Sequence, residues 1–262
     1  DIPLAVKHIF DSKTFDNGTI CASEQSIVTE ACIAEAVAGE LRRQGACFLS
    51  PEQSDKLSGL LLRANGTMNP AIVGRTARQI ADMAGIQVPE ETRLLVSRQD
   101  GKGVHKKNPY AREKLCPVLA FFVVEDWEQA CELCVRILRN EGVGHTMTIH
   151  TQNRDVVDQF ALKKPVSRIL VNTPGALGGV GATTGLPPAL TLGCGAVGGS
   201  ATSDNITPMH LVNIRRVAWG LRELDDLRRI SPGEPGPARP EISQADIEAI
   251  ARAVLARLRE SK

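Results

Sequence analysis

The stretch Phe15-Asp16-Asn17-Gly18-Thr19-Ile20-Cys21-Ala22-Ser23-Glu24-Gln25 places a thiol just after a turn signal. Asn17 and Gly18 both tolerate positive φ, and Ser26-Ile27-Val28 reads as the start of a strand or helix packed inside. A cysteine presented in this way can face a cleft. Where backbone N–H groups or a helix N-terminus aim at its sulfur, the thiolate becomes accessible near neutral pH. The same donors can then hold an oxyanion after attack on a carbonyl. The other reading of Cys21 is a small buried apolar residue, and the segment alone leaves both open.

Other reactive side chains read differently. Cys131 and Cys134 form a C-x-x-C inside Glu128 to Leu138, where the apolar spacing is helical and no second ligand pair is near. They read as core-facing helix residues, with zinc as the alternative, and no metal site is expected. His145 and His150 are the histidines nearest a motif, and a lone histidine is more often structural than catalytic. The one literal G-x-G-x-x-G, Gly193 to Gly198, follows the strand-like run Pro188 to Leu192 but continues as polar loop from Gly199 to Asn205. Without a helix N-terminus it fails as a dinucleotide fingerprint. Thr173 to Pro188 reads as a glycine-rich loop that lacks the lysine of a P-loop.

Elements of α/β rhythm must carry these groups. Ser26 to Gln44 predicts a helix, Ala46 to Leu49 a short strand, and Ser50-Pro51-Glu52 a capped helix start. Arg75 to Gly85 predicts a helix ended by glycine, and Arg93 to Val96 a buried strand. Val118 to Val124 is apolar throughout, as in a parallel sheet covered on both faces. Asp126-Trp127-Glu128 opens the Cys131 helix, Thr146 to Thr151 is a strand with period-2 alternation, and Arg168 to Asn172 is another buried strand. The fold class is therefore α/β, with a mostly parallel sheet covered by helices.

The 262 residues are 42% hydrophobic and 23% charged, enough for a sizeable core. A formal charge of +1 gives no field for nucleic acid, and no apolar run is long enough to span a membrane. The start, Asp1 to His8, lacks a basic leader and a small-residue cleavage site, so no signal peptide is read. Seven cysteines, an odd and irregularly spaced set, fit a reducing cytoplasmic setting.

Phe15 to Gln25 resembles the active-site segment of CoA-acylating aldehyde dehydrogenases. Glu113-Lys114-Leu115-Cys116-Pro117-Val118, Gly144-His145-Thr146, Val171-Asn172-Thr173-Pro174, and Thr191 through Gly193-Cys194-Gly195 to Asn205 resemble that family in order. Together they cover about Phe10 to Trp219. The resemblance implies that Cys21 is the nucleophile that turns a short-chain aldehyde into a thioester, with NAD as hydride acceptor and coenzyme A as acyl acceptor. It implies a cofactor contact at Glu113, Leu115 and Pro117, in an element where the family has an aromatic residue and a glycine at the positions of Leu115 and Cys116. Ile20, His145, Thr146, Gly193, Cys194 and Gly195 are implied as lining for the acyl or CoA site. The family's nicotinamide-binding domain precedes the nucleophile and has no counterpart here, which, with the missing initial methionine, suggests a piece of a longer polypeptide. A non-catalytic assembly module and part of a bifunctional aldehyde–alcohol dehydrogenase are the alternatives.

The expected organisation is a catalytic domain over 1–208, a subunit-contact segment over 209–230, a Pro/Gly linker over 231–242 and a tail helix over 243–262. By resemblance the strand-like Asn213 to Trp219 joins a sheet between subunits, arguing for a homo-oligomer. Ile247, Ile250, Ala251, Val254, Leu255 and Leu258 keep one face of the tail helix apolar. The tail resembles encapsulation peptides, which implies a microcompartment shell protein as partner and a location inside a bacterial microcompartment.

Overall fold

β-branched and aromatic side chains crowd Val118–Val124 (β4), and the structure buries this strand inside a four-stranded parallel sheet. The computed structural model describes residues 1–228 and residue 252. The sheet order is β1-β4-β3-β2, with Ser26–Glu30 (β1), Ala46–Phe48 (β2) and Leu94–Gln99 (β3). Alternation along β4 divides the core into two layers. Val118, Ala120 and Phe122 meet Leu57 and Leu61 of Pro51–Leu61 (α3), Ile80 of Ala77–Met83 (α4) and Leu133 of Trp127–Asn140 (α5). Leu119 and Phe121 meet Val6 and Phe10 of Ile2–Thr14 (α1), and Val37 and Leu41 of Ala31–Arg43 (α2).

A second parallel pair, Gly144–Ile149 (β5) and Val166–Val171 (β6), is joined by Arg154–Lys163 (α6). Among the described residues β1 pairs only with β4, and β5 only with β6. A cavity of about 450 Å³ lies between these two free edges. His8 Nδ1, Glu24 Oε2, Ser26 Oγ, Thr29 Oγ1 and His150 Nε2 are the buried side-chain polar atoms without a hydrogen-bond partner among the described residues, and all five residues line it.

Two expectations are corrected. Ser26 to Gln44 is not one helix: Ser26–Glu30 is a strand, because consecutive β-branched Ile27, Val28 and Thr29 resist helix and bury alternately against the sheet. The glycine-rich loop after Thr173 contains the short helix Gly175–Gly179 (α7), whose first N–H groups are taken up by Glu24 and Ser12.

Contacts divide the chain into a unit over Asp1–Val212 and one beginning at Asn213. In the second, Asn213 to Trp219 is exposed without a ladder partner among the described residues, and Leu224–Arg228 (α8) is a single helical turn. The expected linker over 231–242 and, but for residue 252, the tail helix over 243–262 lie outside the described residues. No described helix is long and apolar enough to cross a membrane.

Candidate active site

The turn ahead of Cys21 is tighter than a single Asn-Gly signal implies. Asp16, Asn17 and Gly18 all have positive φ, at 47°, 50° and 77°. Side-chain bonding supports the two non-glycine residues there: Asn17 Nδ2 donates to the Gly74 carbonyl at 3.0 Å, and the Thr19 hydroxyl bonds the Asp16 carboxylate. Gly18 has a second reason to lack a side chain. A Cβ there would lie 3.0 Å from the backbone of both Cys116 and Lys13, so the turn rests directly on the Glu113–Pro117 segment.

That contact brings the two motifs together. Gln25 Oε1 accepts from the Lys114 N–H at 2.9 Å and from Lys13 Nζ at 3.4 Å, and Lys13 Nζ also reaches Ser23 Oγ at 3.4 Å. Leu115 accepts from the Gly74 N–H, and Pro117 is buried at the head of β4. Lys114 Nζ is satisfied by the carbonyls of Tyr110 and Arg112. Burial lowers Lys13 to about 8 and Lys114 to about 7.

Cys21 is exposed as a residue, yet its thiol is enclosed enough that burial is the largest influence and raises its pKa. The charge of Glu113 raises it further, while hydrogen bonds from the backbone N–H groups of Cys21 and Ala22 oppose the rise. The expected donors are therefore present, but they do not bring the thiol down towards neutrality: desolvation and a neighbouring carboxylate outweigh two amide dipoles. Burial, then Glu141, raises Glu113 in turn, against Lys13 and Lys114.

Arg168, which the sequence marks only as part of a buried strand, is electrostatically coupled to this site. It is 5% exposed. Its guanidinium donates to Asn205 Oδ1 at 2.9 Å and to the carbonyls of His145, Gly193 and Ser203. It thereby fixes the Gly193-Cys194-Gly195 loop to β6. Electrostatic coupling links Arg168 to Cys21 and Cys194, and Cys21 to Cys194. Gly193 and Gly195 fit close backbone approach, since their Cβ atoms would fall 2.2 Å from the Thr202 carbonyl and 2.9 Å from Ser167 Oγ. His145 is half-buried, with Nδ1 3.0 Å from Thr146 Oγ1, and burial followed by Arg168 lowers its pKa.

The charges of Glu113, Cys194 and Arg168 thus act on or with Cys21, Ile20 is half-buried next to it in sequence, and Arg168 bonds the His145 carbonyl ahead of Thr146. Arg168 and Lys13 were the omissions, and each had a signal. Arg168 is a charge inside an apolar strand, and Lys13 continues the apolar face Val6, Ile9, Phe10 at the next helical step. Cys131 is buried and Cys134 half-buried on α5, as their spacing implies. No cluster of His, Cys, Asp or Glu among the described residues could hold a metal ion.

No family model matches the chain. It is 40% identical over 223 residues to the bifunctional aldehyde-alcohol dehydrogenase AdhE of Escherichia coli (strain K12), covering 83% of this chain and 25% of that protein. To the succinate-semialdehyde dehydrogenase (acetylating) of Clostridium kluyveri it is 34% identical over 223 residues, covering 85% and 49%. A crystal structure of a probable aldehyde dehydrogenase from Listeria monocytogenes EGD-e superposes with a TM-score of 0.83 at 60% identity, over 87% of this chain and 50% of that one. A propionaldehyde dehydrogenase from the Clostridium phytofermentans fucose utilisation bacterial microcompartment gives 0.69 at 26% identity, over 78% and 45%. The chain spans a quarter to a half of the length of these relatives. Its relatives are acetylating aldehyde dehydrogenases, and the chain corresponds to part of such an enzyme.

Proposed function

We propose that the chain is the nucleophile-bearing part of an enzyme that converts a short-chain aldehyde, NAD and coenzyme A to acyl-CoA. The observation that carries this is Cys21: it follows three left-handed residues, its sulfur is reached by two backbone N–H groups, and the charge of Glu113 acts on it. Cys21 Sγ, as thiolate, attacks the aldehyde carbonyl, and the new C–S bond leaves an oxyanion for which the same N–H groups are available donors. NAD supplies the hydride acceptor when bound. The resulting thioester transfers its acyl group to the CoA thiol, releasing Cys21.

On this reading the nicotinamide end of the dinucleotide is met through Glu113, whose charge acts on Cys21. Its phosphates find no strand-turn-helix at Gly193 to Gly198, which enters a three-residue 3₁₀ turn at Ala196–Gly198. The remaining part of the enzyme supplies that cradle, and the groove between β1 and β5, with its five unpartnered polar atoms, is the surface it covers. Assembly as a homo-oligomer through Asn213 to Trp219, and recruitment to a shell through 243–262, extend the reading. The first is supported by the exposed, unladdered segment, the second by the tail's apolar spacing and the microcompartment neighbour.

Mixing the chain with the half of the Listeria relative that it does not match, then following NADH formation from acetaldehyde and CoA, tests the assignment. Activity that needs both parts and disappears in Cys21→Ala is expected; unchanged turnover by Cys21→Ala would overturn it. The second reading, part of a bifunctional aldehyde–alcohol dehydrogenase, draws on the AdhE similarity, and iron-dependent ethanol oxidation by the native full-length protein would favour it.

A further inference from the structure

The C-x-x-C on α5 has no part in the chemistry above, yet one of its sulfurs has an unusual neighbour. Cys131 is 4% exposed, and Lys164, which closes α6 just ahead of β6, is 7% exposed. Lys164 Nζ lies 2.6 Å from Cys131 Sγ and 3.9 Å from the centroid of the Phe160 ring. A buried lysine ordinarily finds a carboxylate, and none pairs with Lys164 in the salt bridges among the described residues. It faces a thiol and an aromatic ring instead.

The separation is shorter than the usual N–H···O distance of about 2.9–3.0 Å, although sulfur is the larger atom. It also lies inside the roughly 3–3.5 Å that marks reacting atoms held ready for bond formation. A surface cavity of about 480 Å³, lined by Trp127, Cys131, Val135, Arg136 and Lys163 among others, gives a small oxidant a route to this turn of α5. Burial protects the pair from larger reagents.

We propose that Cys131 and Lys164 form an oxidant-triggered cross-link, a sulfenamide between Sγ and Nζ. Hydrogen peroxide oxidises the Cys131 thiol by two electrons: its O–O bond breaks, an S–O bond forms, and one water leaves. Nζ first gives up a proton to water, and its lone pair then attacks the sulfenic sulfur. The S–N bond forms as the S–O bond breaks, and the departing hydroxide takes a proton from nitrogen as a second water. The product ties α5 to the connection entering β6, the strand that carries Arg168 and through it the Gly193 loop. An external thiol breaks the S–N bond by attack on sulfur, freeing the Lys164 amine and leaving a mixed disulfide on Cys131, and a second thiol reduces that disulfide to restore the Cys131 thiol.

The full chain is treated with hydrogen peroxide, blocked with iodoacetamide, digested without reductant and mapped by tandem mass spectrometry. The expected result is a peptide pair joined through Cys131 and Lys164, lost on dithiothreitol treatment, absent from Lys164→Arg and retained in Cys134→Ser. The wild-type melting temperature should rise on oxidation, and that of Lys164→Arg should not. A Cys131–Cys134 disulfide, or sulfinic acid at Cys131 with Lys164 unmodified, would overturn the proposal. Both are read on wild-type protein and do not depend on how a variant folds.

Discussion

The two faces of β4 and the seam between β1 and β5 belong to one folding unit but are finished to different degrees. Around β4, Phe121 and Phe122 are 1% and 0% exposed, and no residue of the two clusters packed on it carries a buried side-chain polar atom without a partner among the described residues. At the seam, five such atoms line one cavity between strands that each have a free edge. An unpaired buried donor or acceptor costs roughly 1–3 kcal/mol, so the seam is a place where this chain stands to gain from a neighbour. The β4 core needs none. The difference separates what this length of chain stabilises by itself from what it offers to the rest of the enzyme.

The largest expected effect breaks the finished side. Phe122→Ala should lower unfolding free energy by about 3–5 kcal/mol in urea titration, because a rigid, closed core leaves a cavity. A loss below about 1 kcal/mol would mean that the β4 core is no better packed than the seam. The next effect lies in pH. Burial depresses Lys114 to about 7 from 10.5, so the folded chain binds fewer protons than the unfolded chain between those values. Its contribution to stability is present above the unfolded pKa and is lost as pH falls through the folded one. Between pH 7 and 10, melting temperature should therefore climb in wild type relative to Lys114→Met; parallel profiles would refute it.

Thr29→Val sharpens the seam side. It replaces an unpartnered buried hydroxyl with a methyl of similar shape, so stability of the isolated chain should rise by about 1 kcal/mol. If the remaining part of the enzyme covers the seam as proposed, the gain should vanish or reverse in its presence. A loss in the isolated chain would show that Thr29 Oγ1 is already satisfied. The smallest effect is at the site: Glu113 raises the Cys21 thiol, so Glu113→Gln should speed iodoacetamide labelling of Cys21 at pH 7.5 a few-fold. Slower labelling would place Glu113 in a different relation to the sulfur.

Much of the sheet was legible because each β4 residue is apolar, and a strand covered on both faces leaves that mark. Caps were legible too: Ser50 and Thr76 each close a reciprocal capping box, although only the first had been read as a cap. β1 was misread because Ser26 to Glu30 runs into Ala31–Arg43 without a break residue, and periodicity over so short a strand is weak. At the site, motif marked Cys21 and Glu113 as candidates, and the fold brings their two segments into contact. The grouping of Arg168 with Gly193 and His145 was not legible, because it depends on hydrogen bonds across 23 to 35 positions of sequence. Nor was the direction of the Cys21 shift, which is set by enclosure and by a carboxylate from a distant loop.

The central claim, that Cys21 carries the acyl group, can be tested without the cofactor half by running thioester exchange backwards. The chain is incubated with acetyl-CoA at pH 8, quenched in acid and mapped by mass spectrometry. One acetyl group on Cys21, removed by added CoA and absent from Cys21→Ala, is the predicted result; acetylation spread over Cys32, Cys47 and surface lysines, with Cys21 unmodified, would contradict it.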